Sequence, residues 1–142
     1  MSIYEQALNF KRKYPKTIAW RLKAHSKIAQ IHLNPNEKVK FVFACQKNSK
    51  SYEIFRTYVV VVTDKRIMVA QKRLLFGYFF ISVTSDMYND LTVMMGLLWG
   101  KVCIDTVKEV IMLSNIQKEA LPEIETAISQ SMMEIKIHCA RR

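Results

Sequence analysis

Residues 58–70 read Tyr58-Val59-Val60-Val61-Val62-Thr63-Asp64-Lys65-Arg66-Ile67-Met68-Val69-Ala70. Branched residues crowd both flanks, and a branched Cβ is stiff at χ1 and fits a pleated, half-buried surface better than a helix. Asp64-Lys65 leaves two residues between the flanks, the length of a tight hairpin connection, though without the stronger Asn-Gly signal. The stretch therefore reads as a strand running to Thr63, a turn, and a second strand from Arg66 to Lys72.

The same texture continues on both sides. Upstream, Val39, Phe41 and Phe43 alternate with Lys38, Lys40 and Val42, as in a strand with one buried face. The polar run Lys47-Asn48-Ser49-Lys50-Ser51 follows it as a loop. Downstream, strands are expected at Tyr78–Val83 after Gly77, Leu91–Met95 ending at Gly96, Lys101–Thr106 after Gly100, and Val110–Leu113. Seven short strands with short turns predict an antiparallel sandwich or barrel.

Helical signals sit at the two ends. Residues 3–12 and 16–33 contain neither Gly nor a helix-interior Pro, and Pro15 separates them. The second stretch places Ile18, Leu22, His25, Ile28 and Leu33 on one face, and Trp20, Lys23, Lys27 and Gln30 on others. Asn34-Pro35-Asn36 stops it. At the other end, Ile116, Ala120, Leu121, Ile124, Ile128, Met132 and Ile135 form an apolar stripe, which predicts a helix over residues 116 to about 134 capped by Ser114 or Asn115. Tyr58–Val62 and Tyr78–Ile81 are apolar on both faces, one face more than a lone barrel buries. Residues 3–33 or a second copy of the chain must cover the other.

Half of the 142 residues are apolar, enough for one domain with its own core. The longest apolar runs fall far short of the roughly 20 residues a spanning helix needs. The N-terminus lacks the features of a secretory signal, so a cytoplasmic location is expected, with a peripheral place at the membrane as its variant. Cys45, Cys103 and Cys139 are widely spaced and odd in number, and are read as reduced, buried thiols. His25, His32 and His138 have no metal-ligand spacing and are read as surface or partly buried side chains. The chain shows no phosphate-cradling glycine loop, nucleophile elbow or paired carboxylate motif, so no catalytic residue, metal or cofactor is assigned.

Charge is distributed unevenly. Residues 1–73 hold 16 Lys and Arg against 4 Asp and Glu, whereas residues 74–142 hold 6 against 8. A first half at +12 beside a second at −2 suits an anionic partner: a lipid surface, nucleic acid or an acidic protein face. Tyr4, Phe10, Tyr14 and Trp20 interleave with Lys11, Arg12, Lys13, Lys16 and Arg21, which keeps nucleic-acid binding as the alternative function.

Three stretches give a further lead: Leu33-Asn34-Pro35-Asn36-Glu37-Lys38-Val39, Val61-Val62-Thr63-Asp64-Lys65-Arg66-Ile67 and Gly96-Leu97-Leu98-Trp99-Gly100-Lys101-Val102. In this order, and at this distance from the final helix, they resemble the bacterial PH-like domains of the YokE type over residues 34–135. The resemblance implies a mainly β (α+β) fold, a seven-stranded bent antiparallel barrel capped by a C-terminal helix, with an N-terminal helical segment added. The expected organisation is 1–33 helical segment, 34–137 PH-like domain and 138–142 tail.

Modules of this fold bind phosphoinositides, peptides and other proteins, so the resemblance gives no ligand. Taken with the charge and the missing catalytic motifs, the expected function is a non-catalytic binding module recognising a protein partner or an anionic membrane surface, with a homo-oligomer as one form of partner. Lipid-binding PH domains carry basic residues across the first hairpin. Lys47, Lys50 and Arg56 occupy that region here, although Tyr58 stands where a further Arg belongs, and no tryptophan lies in the final helix. With Lys11, Lys13, Lys16, Lys23 and Lys27 they form the candidate anion-binding set. Leu97, Leu98 and Trp99 between two glycines are a candidate interface, read either as an exposed apolar finger or as core folded over the barrel end.

Overall fold

The fold is that of a computed structural model, which describes residues 1–46 and 57–140. Two helices come first, α1 (Ile3–Lys13) and α2 (Leu22–His32), followed by seven strands. These are β1 (Val39–Gln46), β2 (Thr57–Thr63), β3 (Ile67–Lys72), β4 (Tyr78–Val83), β5 (Tyr88–Met95), β6 (Trp99–Thr106) and β7 (Val110–Gln117). A 3-10 turn, Lys118–Ala120, leads into α3 (Leu121–Ala140). The strands form one curled antiparallel sheet in the order β4-β3-β2-β1-β7-β6-β5. Its two halves meet where Gln46 lies opposite Ser114.

The hairpin predicted at Asp64-Lys65 is present. The Thr63 N–H donates to the Arg66 carbonyl at 2.9 Å, and the Thr63 hydroxyl accepts from the N–H groups of Lys65 and Arg66, each at 3.1 Å. The β6–β7 turn repeats this chemistry. Thr106 Oγ1 accepts from the N–H groups of Lys108 and Glu109 at 3.3 and 3.0 Å. A threonine hydroxyl at the first turn position thus supplies local order that the Asn-Gly pair supplies elsewhere.

The concave face of the sheet closes on α3. Leu121, Ile124, Ile128 and Met132 are buried there with Val102, Ile104, Ile111 and Leu113. The convex face is covered as the doubly apolar strands required. α1 lies over β1, with the Phe10 ring 6.2 Å from that of Phe41 and 6.1 Å from that of Phe43. α2 lies over β2 and β3 through Leu22, His25, Ile28 and Ala29. With a helix on each side, all of β2 from Thr57 to Thr63 is buried, each valine contributing on the order of 1.5–3 kcal/mol of apolar transfer. From Val42 on, β1 is likewise buried on both faces rather than on one: α1 packs on the face of Phe41 and Phe43, and Val42 and Ala44 on the face expected to meet water are buried as well.

Several boundaries differ from expectation. Ser114 and Asn115 do not cap a helix. They continue β7, where Ser114 Oγ donates to the Gln46 carbonyl at 3.1 Å and Asn115 takes a left-handed φ of 57°. Ile116 is buried from the strand rather than from a helical stripe. The helix starts at Leu121, with Pro122 in its first turn where a missing N–H costs little, and runs on to Ala140. Among the cysteines, Cys45 is buried, which pushes its thiol pKa up, but Cys103 is half-buried and Cys139 is exposed. His25 is fully buried rather than superficial.

Candidate functional site

Two of the stretches singled out in the sequence converge on one buried ion pair. Glu37 and Arg66 pair in a fork, Nε to Oε2 at 3.0 Å and Nη2 to Oε1 at 3.1 Å. The Glu37 side chain is 1% exposed. Its carboxylate also accepts from the Thr63 hydroxyl at 2.6 Å and the Asn34 N–H at 3.2 Å. Arg66 reaches further, donating to the His32 carbonyl at 2.7 Å and to Ser82 Oγ at 3.3 Å. Its guanidinium sits 5.7 Å from the centre of the Phe80 ring, on which His32 stacks at 4.0 Å. Burial alone would raise the Glu37 carboxyl, but the hydrogen bonds from Arg66, Thr63 and Asn34 outweigh it and hold its pKa below the ordinary value. This node ties the end of α2 to the β2–β3 hairpin and so fixes how the helical layer lies on the sheet.

Between α1 and α2 the chain is an extended strap rather than the helix expected from residue 16. Its backbone groups find partners across the molecule instead of along a helix. The Ile18 N–H donates to the Asn115 carbonyl at 2.9 Å, the Lys16 N–H to Gln117 Oε1 at 2.9 Å, and the Trp20 N–H to Thr57 Oγ1 at 3.0 Å. Thr17, buried, accepts from the Gln117 N–H at 2.9 Å. Arg21 then turns the chain into α2 with a φ of 53°. The strap therefore joins the β5–β6 turn, where Trp99 Nε1 donates to the Lys16 carbonyl at 2.6 Å, to the end of β3, where Arg21 Nη1 donates to the Lys72 carbonyl at 3.3 Å.

The candidate anion-binding residues divide along this frame. Lys16, Lys23 and Lys27 are exposed. Lys11 is turned toward the strap, donating to the carbonyls of Pro15 and Thr17, and its burial lowers its pKa. Lys13 lies 3.0 Å from the Glu123 carboxylate, whose hydrogen bond raises its pKa. Tyr14 donates to the same carboxylate. Lys47, Lys50 and Arg56 lie outside the described residues. Of the candidate interface, Leu97 is 87% exposed, Leu98 42% and Trp99 39%, so the finger is not folded into the core.

Sequence reasoning passed over a second apolar tip. Leu74, Leu75 and Phe76, in the turn between β3 and β4, are 64%, 80% and 85% exposed, next to Lys72 and Arg73 in the chain, with Arg21 reaching the Lys72 carbonyl. The signal was present, because a turn is ordinarily polar and Arg73-Leu74-Leu75-Phe76-Gly77 is not. Leu74 to Phe76 lies between two strands that are themselves apolar, and so merged with them.

The strap, α2 and the β3–β4 hairpin are acid-poor. No acidic residue occurs between Glu5 and Glu37 or between Asp64 and Asp86, whereas α3 carries Glu123, Glu125 and Glu134. A groove of about 580 Å³ between β1 and α3 is lined by Lys40, Phe41, Glu123, Thr126, Gln130 and Glu134. Its charges are mixed. Among the described residues no group of His, Cys, Asp and Glu is gathered closely enough to hold a metal ion, and no helix is long and apolar enough to cross a membrane.

A family model described as bacterial PH domain matches residues 33–130. No curated protein matches the chain. Among solved structures, the chain is similar to a pleckstrin homology domain from Shewanella amazonensis SB2B, at 14% identity and a TM-score of 0.49, covering 75% of this chain and 83% of that one.

Proposed function

The chain belongs to the bacterial PH domain family, and on that premise we propose that it is a non-catalytic module that docks on an anionic membrane surface. The observation carrying this reading is the group of exposed cations Lys16, Arg21, Lys23 and Lys27 on the strap and α2, with half-buried Lys72 at the end of β3 and exposed Arg73 just after it, and no acidic residue in the sequence between Glu5 and Glu37. Cations near an acidic leaflet contribute on the order of 1 kcal/mol each through long-range attraction, without a shaped pocket.

Such attraction is broad in lipid preference and steep in salt, since the Debye length shrinks from roughly 10 Å at 0.1 M to 3 Å at 1 M. Co-sedimentation with phosphatidylcholine vesicles, with and without phosphatidylglycerol, tests the reading. The full chain should bind only the anionic vesicles, release them as salt rises, and bind several hundredfold more weakly when Lys16, Arg21, Lys23 and Lys27 are all changed to glutamine. A wild type that ignores anionic vesicles at low salt overturns the proposal and leaves a protein partner as the leading reading.

A further inference from the structure

The β3–β4 turn places three large apolar side chains in a row at the end of a hairpin. Arg73 N–H donates to the Gly77 carbonyl at 3.1 Å and closes the turn, and Gly77, at a φ of 75°, takes a conformation other residues adopt only with strain. The hairpin is therefore a built element that holds Leu74, Leu75 and Phe76 in water at 64%, 80% and 85% exposure. An isolated exposed leucine is ordinary, but two leucines and a phenylalanine in a row at a tip are a persistent cost in water.

The tip also has a collar of one sign. Lys72 and Arg73 stand at its base, Lys72 Nζ bridging to the Gly77 carbonyl at 3.2 Å, and Arg21 reaches the Lys72 carbonyl at 3.3 Å. Tyr78, half-exposed at the start of β4, lies opposite Lys72 in the sheet register, and exposed Trp20 precedes Arg21 in the chain; both are amphipathic rings. Leu74, Leu75 and Phe76 form the bend beyond Lys72 and Arg73, so the apolar side chains stand past the basic ones at its base. Apolar groups sunk roughly 5–10 Å below headgroups are the geometry of interfacial insertion, and tryptophan and tyrosine favour that headgroup level. A protein partner is less well matched, because a convex tip of three residues buries far less than the roughly 1,000 Å² a stable interface requires.

We infer that this tip is the element that enters the bilayer: Leu74, Leu75 and Phe76 insert among the upper acyl chains while Arg21, Lys72 and Arg73 engage lipid phosphates around them. The inference rests on the anionic-membrane reading above and adds an apolar, salt-resistant component to it.

The test uses the full chain and vesicles of phosphatidylcholine with equimolar phosphatidylglycerol. The variant Leu74→Ser/Leu75→Ser/Phe76→Ser changes only exposed side chains, and an unchanged thermal melt checks that it folds. Its partitioning should fall by roughly a hundredfold, and what remains should vanish with salt, whereas the wild type retains a salt-resistant fraction. Independently, the variant Phe76→Trp should shift its emission to the blue on adding these vesicles by more than the wild type does. If the wild type binds while the triple variant binds equally and the Phe76→Trp emission does not move, insertion is overturned and the charge-based reading survives. If the wild type ignores the vesicles, both readings fall. If in that case the triple variant converts a dimer to a monomer, the tip's occupant is a second copy of the chain.

Discussion

Replacing Arg66 with leucine tests the node that joins α2 to the sheet. The substitution removes the two-pronged pairing with Glu37 at 3.0 and 3.1 Å, the bond to the His32 carbonyl and the contact with Ser82. What it leaves is a carboxylate 1% exposed with only Thr63 and the Asn34 N–H for company. Removing one partner of a buried pair typically costs 3–5 kcal/mol, because the desolvated charge stays behind uncompensated. The expected loss at pH 7 is therefore about 3–4 kcal/mol, a large share of the roughly 5–15 kcal/mol that holds a domain together.

Glu37→Gln should cost less, about 1–2 kcal/mol, since the amide needs no counter-charge and Arg66, 17% exposed, can reach water. Acid should narrow the gap between wild type and Arg66→Leu. In the wild type the Glu37 pKa is lowered, so its stabilisation is present above the unfolded value of 4.5 and is lost as pH falls through the folded one. In the variant, burial without the guanidinium raises that pKa, so the penalty fades as pH drops below the raised value. Urea unfolding at pH 7 and pH 4 reads both effects as shifts in midpoint at constant slope. A loss under about 1 kcal/mol at pH 7, or a gap that widens in acid, would refute the reasoning.

Two further outcomes are expected. His25 is buried with Nδ1 accepting the Lys72 N–H at 2.8 Å, and its pKa is lowered to about 4, by burial first and the Arg21 charge second. The imidazole is neutral in the folded protein, so its contribution is full above the unfolded value of 6.5 and is lost as pH falls toward 4. The loss should be of order 2 kcal/mol, and a wild type whose urea midpoint falls no more than that of His25→Gln between pH 7 and pH 5 contradicts this. Deleting residues 1–33 uncovers the convex face of β1, β2 and β3, now buried under Ile3, Ala7, Phe10, Leu22, Ile28 and Ala29. The truncated chain should aggregate or change oligomeric state in size-exclusion chromatography, and a soluble, unchanged product counts against the covering role of the helices.

Much of the fold was legible because it rests on local chemistry. Period-two apolar runs and a two-residue turn specify antiparallel hairpins whatever surrounds them, and Tyr58–Val62, apolar on both faces, announced that a second layer must exist. The final helix was legible from its stripe of Leu121, Ile124, Ile128 and Met132, since period and burial agree there. The exposure of Lys23 and Lys27 followed equally from pattern. The errors lie where long-range partners outbid local preference. Residues 16–21 look helical, yet their backbone bonds go to Asn115, Gln117 and Thr57. Ser114 and Asn115 look like caps, yet they are held beside Gln46 in the sheet.

Which side chains share a surface is a property of that long-range arrangement. Glu37 and Arg66 are 29 residues apart, and only the pairing of α2 against the β2–β3 hairpin brings them into one buried node. Lys11 and Lys13 have the same chemistry as Lys23 and Lys27, but the strap turns Lys11 partly inward and Glu123 pairs with Lys13, itself exposed, whereas Lys23 and Lys27 face solvent. Local sequence thus determined the strands, the turns and the sign of the charge, because these depend on neighbours a few residues away. Tertiary structure alone decided which cations and which apolar tips stay exposed, because exposure is set by whatever distant segment happens to lie against them.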